Sequence, residues 1–420
     1  MAQTIAGIAS AVKDVWTSNR MLKQFYDENP VLAKLRDAPG TKVDNMGLQA
    51  QVPIHAQRSG GYTSTNAAGG VLNPAGQQGL AQATYTLVYH WFQVALETAV
   101  LNQTGGSSQS IVAGKVLEME GAINDMSRQC TRQLVGNGDS IVAACATGGA
   151  ATEVELLPGS SGGRGYGALQ RGHLYAGLPV DIGTTADTDS LVTGSVITAV
   201  EEVEATPSIT IGSSISTTAG THFVYIANPN SATAPNTELN GFRNLAGTGT
   251  FGGINPATAG NEYWKAAHVD TTTTSFSLDM ALNLQTKVFQ KSGNYNAVAF
   301  TSAKQMAAFY SILQNQVRYN GEQGLGAGRV GGVTGLTWNG QAVNVLPDIY
   351  DSDWFMINME DLVLVQGSIK KPTWATDLQG TGGDILWSPG TTGFLNGAVW
   401  PFQIGAQRRN RMAAATGLTA

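Results

Sequence analysis

The chain has 420 residues, enough at roughly 100 to 200 residues per domain for two or three compact units. Charged residues are 13% against about 25% in an ordinary soluble domain, and 52 glycines sit among Ser, Thr, Asn, Gln and Ala, which excludes a long soluble coiled coil and favours a loop- and strand-rich chain. A net charge of -6 excludes one broad basic face for nucleic acid, although local contacts stay open because the charge is uneven: residues 151–240 carry two basic and nine acidic side chains, and 241–420 carry twelve and eleven. Cys130 and Cys145 are too few for a disulfide scaffold, no basic leader opens the chain and no 18-residue apolar window occurs, so synthesis and folding in a cytosol are expected, without a membrane partner.

In chain order, residues 1–38 read as two helical pieces, Asn19–Glu28 with Met21, Leu22, Phe25 and Tyr26 on one side, and a second piece after Pro30 with Val31, Leu32 and Leu35. Leu48–Gln57 and Ala83–Leu96 alternate with a period of two, the second with Tyr85, Leu87, Tyr89 and Trp91 on one face. Between them lies a glycine-rich span, so the pair predicts a long two-stranded ribbon whose flexible points are Gly60, Gly61, Gly69 and Gly70. An isolated ribbon is marginal in water and requires a neighbouring surface.

Residues 107–135 predict one long helix. Val112, Val116, Met119, Ile123, Met126, Cys130 and Leu134 recur at steps of three and four, forming a single apolar stripe that stops at Gly136-Asn137-Gly138. Cys130 on that stripe reads as a small core residue. From 139 to 247 short β runs (His173–Tyr175, Ser195–Val200, Ser208–Ile211 and His222–Ile226) predict an inserted small β-barrel or sandwich with an acidic, solvated face. After Asn261 an α+β unit is expected. Ser277 caps a helix with Leu278, Ala281, Leu282, Val288 and Phe289 on its face, and Ser302 with Gln305 forms a capping box. Strands follow at Asn296–Thr301, Ala342–Leu346, Trp354–Ile357, Leu362–Gln366 and Ala398–Ile404.

Catalytic strings match by letter and fail by context. Gly159-Ser160-Ser161-Gly162-Gly163 lacks the strand and helix that a nucleophile elbow needs, and the triplets Gly247/Gly249/Gly252 and Gly326/Gly328/Gly331 do not bridge a strand to a helix. The five histidines have no metal-binding spacing, so no enzyme activity, metal or cofactor is expected. Arg408, Arg409 and Arg411 are candidates for an intersubunit salt bridge or a phosphate contact.

The order of elements resembles the major capsid proteins of tailed bacteriophages, the Hong Kong 97-type fold. Phe25-Tyr26-Asp27-Glu28-Asn29-Pro30-Val31-Leu32 looks like the arm of that group, and Pro401-Phe402 through Arg409-Asn410 like its closing strand. The resemblance implies an α+β, Hong Kong 97-like fold: an N-arm (1–45), an extended β-hairpin loop (46–98), a spine helix opening the peripheral domain (99–138), the inserted β-rich domain (139–247), a mainly axial domain (248–390) and a C-terminal strand returning to the peripheral domain (391–420). It further implies self-assembly through pentamers and hexamers into an icosahedral shell around double-stranded DNA, in a virion made in a bacterial cytoplasm. Scaffolding, portal and decoration proteins are the expected further partners, and contact with the packaged DNA would be weak and nonspecific. Some relatives cross-link a lysine of the extended loop to a neighbour's asparagine; no Lys lies between Val43 and Val100 here, so that bond is expected to be absent. The rival reading is a phage or cell-surface adhesin binding carbohydrate through Tyr166, Trp264 and Trp338. A hydrolase using Ser161 is the third.

Overall fold

The structure, a computed structural model, describes residues 41–44, 49–60, 62–64, 73–74, 76–97, 108–158, 165–184, 190–228, 237–271, 274–293, 296–314, 337–338, 341–369, 372–374, 386–387 and 393–419. The expected helices of 1–38 lie outside these residues.

The centre is a six-stranded sheet built on one long strand, Gly393–Ala406. Val88–Glu97 runs antiparallel along one side of it, and Leu362–Gln366, Thr373–Trp374 and Leu386–Trp387 run antiparallel along the other, with Thr41–Asp44 parallel to Leu362–Gln366. The spine helix, Ser108–Val135, has the length and position that its periodicity predicts. Met126, Cys130 and Leu134 of its stripe are buried in one core with Trp400, Phe402 and Ile404 of the long strand, and Ile123 is half-buried. The side chains of Val112, Val116 and Met119 lie outside the described residues. The chain returns against the end of the helix at Gly241, where a Cβ would stand 2.2 Å from the Gly136 carbonyl oxygen, so only glycine fits this approach. Beside it Arg132 pairs with Glu238, both buried.

The ribbon is present as Gln49–Gln57 paired with Gly79–Thr86, but the expected single strand from 83 to 96 is two. Its alternation breaks at Leu87: Ala83, Tyr85 and Leu87 point inward, and so does Val88, so the parity reverses and Tyr89 and Trp91 face outward. The cause is a change of partner. Thr86 still pairs with Gln49, whereas Val88 pairs with Phe402 of the long strand.

Residues 141–226 carry their own core and a six-stranded sheet in the order 141–144, 222–226, 179–184, 190–201, 208–217, 148–155. Its two outer strands meet through the bridge Cys145–Leu156, with Ala146 N donating to Glu155 O and Leu157 N to Ala144 O, both at 2.8 Å, so the sheet closes on itself. Val154, Val180, Ile182, Ile197, Ile209, Ile211 and Val224 fill it. His173–Tyr175, expected as a strand, is a bend outside the sheet: His173 N donates to Ala168 O at 2.9 Å, continuing from the helix before it, and its buried ring is bonded to Asp348 at 2.8 Å.

The third core lies between a five-stranded sheet, in the order 267–270, 413–416, 354–357, 298–301, 344–345, and two helices, Leu278–Ser292 and Ala303–Gln314. Ser277 caps the first by accepting from Met280 N, and Ser302 accepts from Gln305 N. The reciprocal half of the expected box is absent, because Gln305 donates instead to the Asp351 carbonyl at 2.7 Å. The buried face of the first helix is Ala281, Leu284 and Val288; Leu282 and Phe289, expected inside, are exposed.

Candidate assembly surface

The base of the ribbon rests on its own chain rather than awaiting a neighbour. Ala50, Val52 and Ile54 from one strand and Ala83 and Tyr85 from the other join Phe251, Ile254 and Trp264 in the central core. Thr84 N donates to Gly252 O at 2.9 Å. The Tyr85 hydroxyl donates to Ala406 O at 2.8 Å and accepts from Ala406 N at 3.0 Å, and burial raises its pKa. A Cβ on Gly405 would lie 2.5 Å from the Tyr85 ring, so this glycine exists to admit the ring. Farther out the ribbon loses its cover: Tyr62 is 82% and Leu80 77% exposed. There Ser59 Oγ donates to Gly76 O at 2.8 Å, and Asn73 Nδ2 to Tyr62 O at 2.9 Å.

Of the four predicted flexible glycines, Gly61, Gly69 and Gly70 lie outside the described residues. Gly60 has open space where a Cβ would be. Among the described residues of the ribbon the tight approaches are instead at Gly76, whose Cβ would stand 2.8 Å from Gly60 N, and at Gly79, 2.8 Å from the Gln57 Cβ; the backbone contact at Gly76 is the stricter. Composition could not single it out, since the need arises only when the two strands meet.

A second exposed apolar surface is the outward face of Val88–Glu97, where Trp91 is 61% exposed and Tyr89 nearly half. A third is the outer side of the two helices, with Leu282, Phe289 and Tyr310.

The C-terminal arginines do not behave as one group. Arg409 is fully buried, and its guanidinium donates to the carbonyls of Leu245 (2.9 Å), Gly249 (2.6 Å), Asn244 (2.9 Å) and Gly247 (2.8 Å) while stacking over Phe251. Burial lowers its pKa to about 10, which leaves it a cation at neutral pH. As a correction to the expected intersubunit or phosphate contact, Arg409 caps the turn 242–249 from within, because five fixed donors match a cluster of converging carbonyls, of which Asn244 O also accepts from Gly247 N at 3.2 Å. Arg411 and Arg408 both reach Asp361, at 3.2 and 3.9 Å, and burial of that carboxyl raises its pKa against their pull. They too make contacts within the chain.

His173 and Asp348 join the closed β unit to the loop before Trp354, and Arg171 donates to the Ile349 carbonyl at 3.2 Å beside them. Burial holds the His173 pKa down against the upward pull of Asp348. Cys130 and Cys145 are buried free thiols, and burial raises the pKa of both. The aromatic sugar platform fails: Trp264 is buried with Nε1 on the Phe251 carbonyl at 2.9 Å, Trp338 is buried among Phe309 and Trp354, and the Tyr166 side chain lies outside the described residues. Ser161 also lies outside them. Among the described residues no group of three or more His, Cys, Asp and Glu is placed to hold a metal ion, and no helix is long and apolar enough to cross a membrane.

No protein-family model and no curated protein matches the chain. Among solved structures it is similar to a chain of the cyanophage A-1(L) capsid asymmetric unit, with a TM-score of 0.56 at 11% identity over 96% of both chains. It is also similar to the capsid of a native GTA particle (TM-score 0.47, 11% identity, 99% of this chain and 100% of that one) and to the SrpI encapsulin of Synechococcus elongatus PCC 7942 (0.48, 8%, 98% and 95%). The fold is α+β and that of phage capsid proteins, the Hong Kong 97-like architecture expected from the order of elements.

Proposed function

We propose that this chain is the building block of a closed protein shell and, within that class, the major capsid protein of a tailed bacteriophage. Its copies associate through pentamers and hexamers into an icosahedral particle around double-stranded DNA. The observation that carries the reading is the end-to-end likeness to the cyanophage capsid chain, with 96% of each covered. The outward aromatics Tyr62, Tyr89 and Trp91 support it, since they are the kind of anchor that protein interfaces use. The role is structural, with no catalysis or cofactor, and scaffolding, portal and decoration proteins are further partners. The protein is made in the host cytoplasm and ends in the virion.

The shell is held by noncovalent contact, because the ribbon has no lysine to donate to a cross-link. Electron microscopy of the purified recombinant protein tests the class: closed shells, or rings of five and six, are expected, and a monodisperse monomer under all assembly conditions would overturn it. A denaturing gel of mature particles tests the bonding, with a single band expected and a ladder of covalent multimers refuting it.

A further inference from the structure

Lysine is scarce in this protein, and the fold gathers it. Of the four lysines whose side chains are described, Lys265, Lys287, Lys291 and Lys304, three stand together. Lys287 and Lys291 lie four apart on Leu278–Ser292, hence on one side of the helix, and Lys291 Nζ donates to the Lys265 carbonyl at 3.1 Å, which brings the end of the helix against the segment before Ala267–Asp270. All three residues are exposed, and among the described residues none takes part in an ion pair. Partial burial, then Lys265 and Lys287, lower the Lys291 pKa, and no carboxylate offsets them. Glu262, the nearest acid in sequence to Lys265, is engaged with Gly260 N at 3.0 Å. Two lysines in the last turns would complement the negative end of the helix. A third on a separate segment adds repulsion that the helix end does not require.

We propose that Lys265, Lys287 and Lys291 form a contact surface for the phosphate backbone of double-stranded DNA. The inference deepens the shell reading and rests on it for the supply of DNA. Phosphate is favoured over another copy of the chain because lysine is depleted in the cores of protein interfaces, whereas exposed cations that release counterions are what phosphate binding uses. In a chain of net charge -6, three cations together offset locally the repulsion that a polyanion would meet.

The test measures binding of a short DNA duplex by the full-length protein across a salt series. Three phosphate contacts contribute a slope of about -2.7 in log K against log salt, or about 40-fold weaker binding between about 50 and 200 mM salt. The triple variant K265Q/K287Q/K291Q is expected to lose that contribution, the triple arginine variant to keep it, and Lys304→Gln to leave it unchanged. A wild-type slope in the glutamine variant, or no binding by the wild type, would overturn the proposal. So would a glutamine variant that binds DNA normally but no longer assembles, which would assign the surface to another copy. Assembly of the wild type is read separately by microscopy, so failure of the shell reading is distinct from failure of this contact.

Discussion

The β unit 141–226 and the central sheet treat their edges in opposite ways. In the first, the bridge Cys145–Leu156 joins the outermost strands, so every strand has two neighbours, and Val180, Ile182, Ile209 and Val224 point into one closed core while Leu191 and Val196 face out. In the second, Val88–Glu97 pairs with the long strand on one side only among the described residues, and its outward face presents Tyr89 and Trp91. An unpaired edge beside exposed aromatics is a liability in a solitary molecule and a template in an assembling one. The difference teaches that incompleteness here is localised: one part of the chain closes its own hydrogen bonding, and another, among the described residues, leaves one strand edge open.

The strongest way to sharpen this comparison is to ask whether the open region is merely loose. Arg409→Met should cost on the order of 3 kcal/mol, because it removes a buried side chain's bonds to four carbonyls, of which Leu245 O is buried and Asn244 O keeps Gly247 N. Arg409→Lys should recover little, since a single ammonium cannot span them. Chemical denaturation of the purified subunit checks both, and a loss below about 1 kcal/mol would mean that the turn is satisfied without the arginine. In the closed unit, Ile209→Ala should cost about 3 kcal/mol through the cavity it leaves, yet spare assembly. Loss of shells by this variant under conditions where it stays folded would break the claim that this unit is self-sufficient.

Acid should strike the open sheet next. His90 packs against Phe402, and burial, then Arg132, lowers its pKa to about 4, with Nε2 finding no partner. The folded state therefore favours the neutral ring: stability is full above about pH 6.5 and is lost as pH falls toward 4, by at most about 3 kcal/mol. Thermal melts of wild type and His90→Phe across that range should separate as pH falls, with the wild type losing more, and parallel curves would rule out His90 as the source. The smallest effect on the subunit should come from Trp91→Arg with Tyr89→Ser. Stability should stay within about 0.5 kcal/mol because both side chains are outside the core, while shell assembly should fail. Normal shells from this variant would show that the face is not an interface.

Much of this architecture was legible in the residues themselves. The spine helix follows from local periodicity, since Met126, Cys130 and Leu134 at steps of four mark one side of a helix whatever lies opposite. The ribbon strands and the Ser277 cap are likewise local, decided by alternation and by one hydroxyl beside one amide. The assembly surface was less legible. Tyr89 and Trp91 looked like a continuation of the inward row that Tyr85 begins, and Leu282 and Phe289 like a core face, because apolar character was the only signal available and it does not say which apolar side chain finds cover.

What the sequence determined alone is the set of elements and their order, because helix and strand periods are written over a few neighbouring residues. What the tertiary structure decided is which side of each element is inside. The reversal at Leu87 exists because the next residue meets Phe402, more than 300 positions away, and Arg409 is internal because the turn 242–249 folds its carbonyls around it. Neither partner is encoded near the residue it governs, so burial there, and with it the surface left for other molecules, is settled only when distant segments pack.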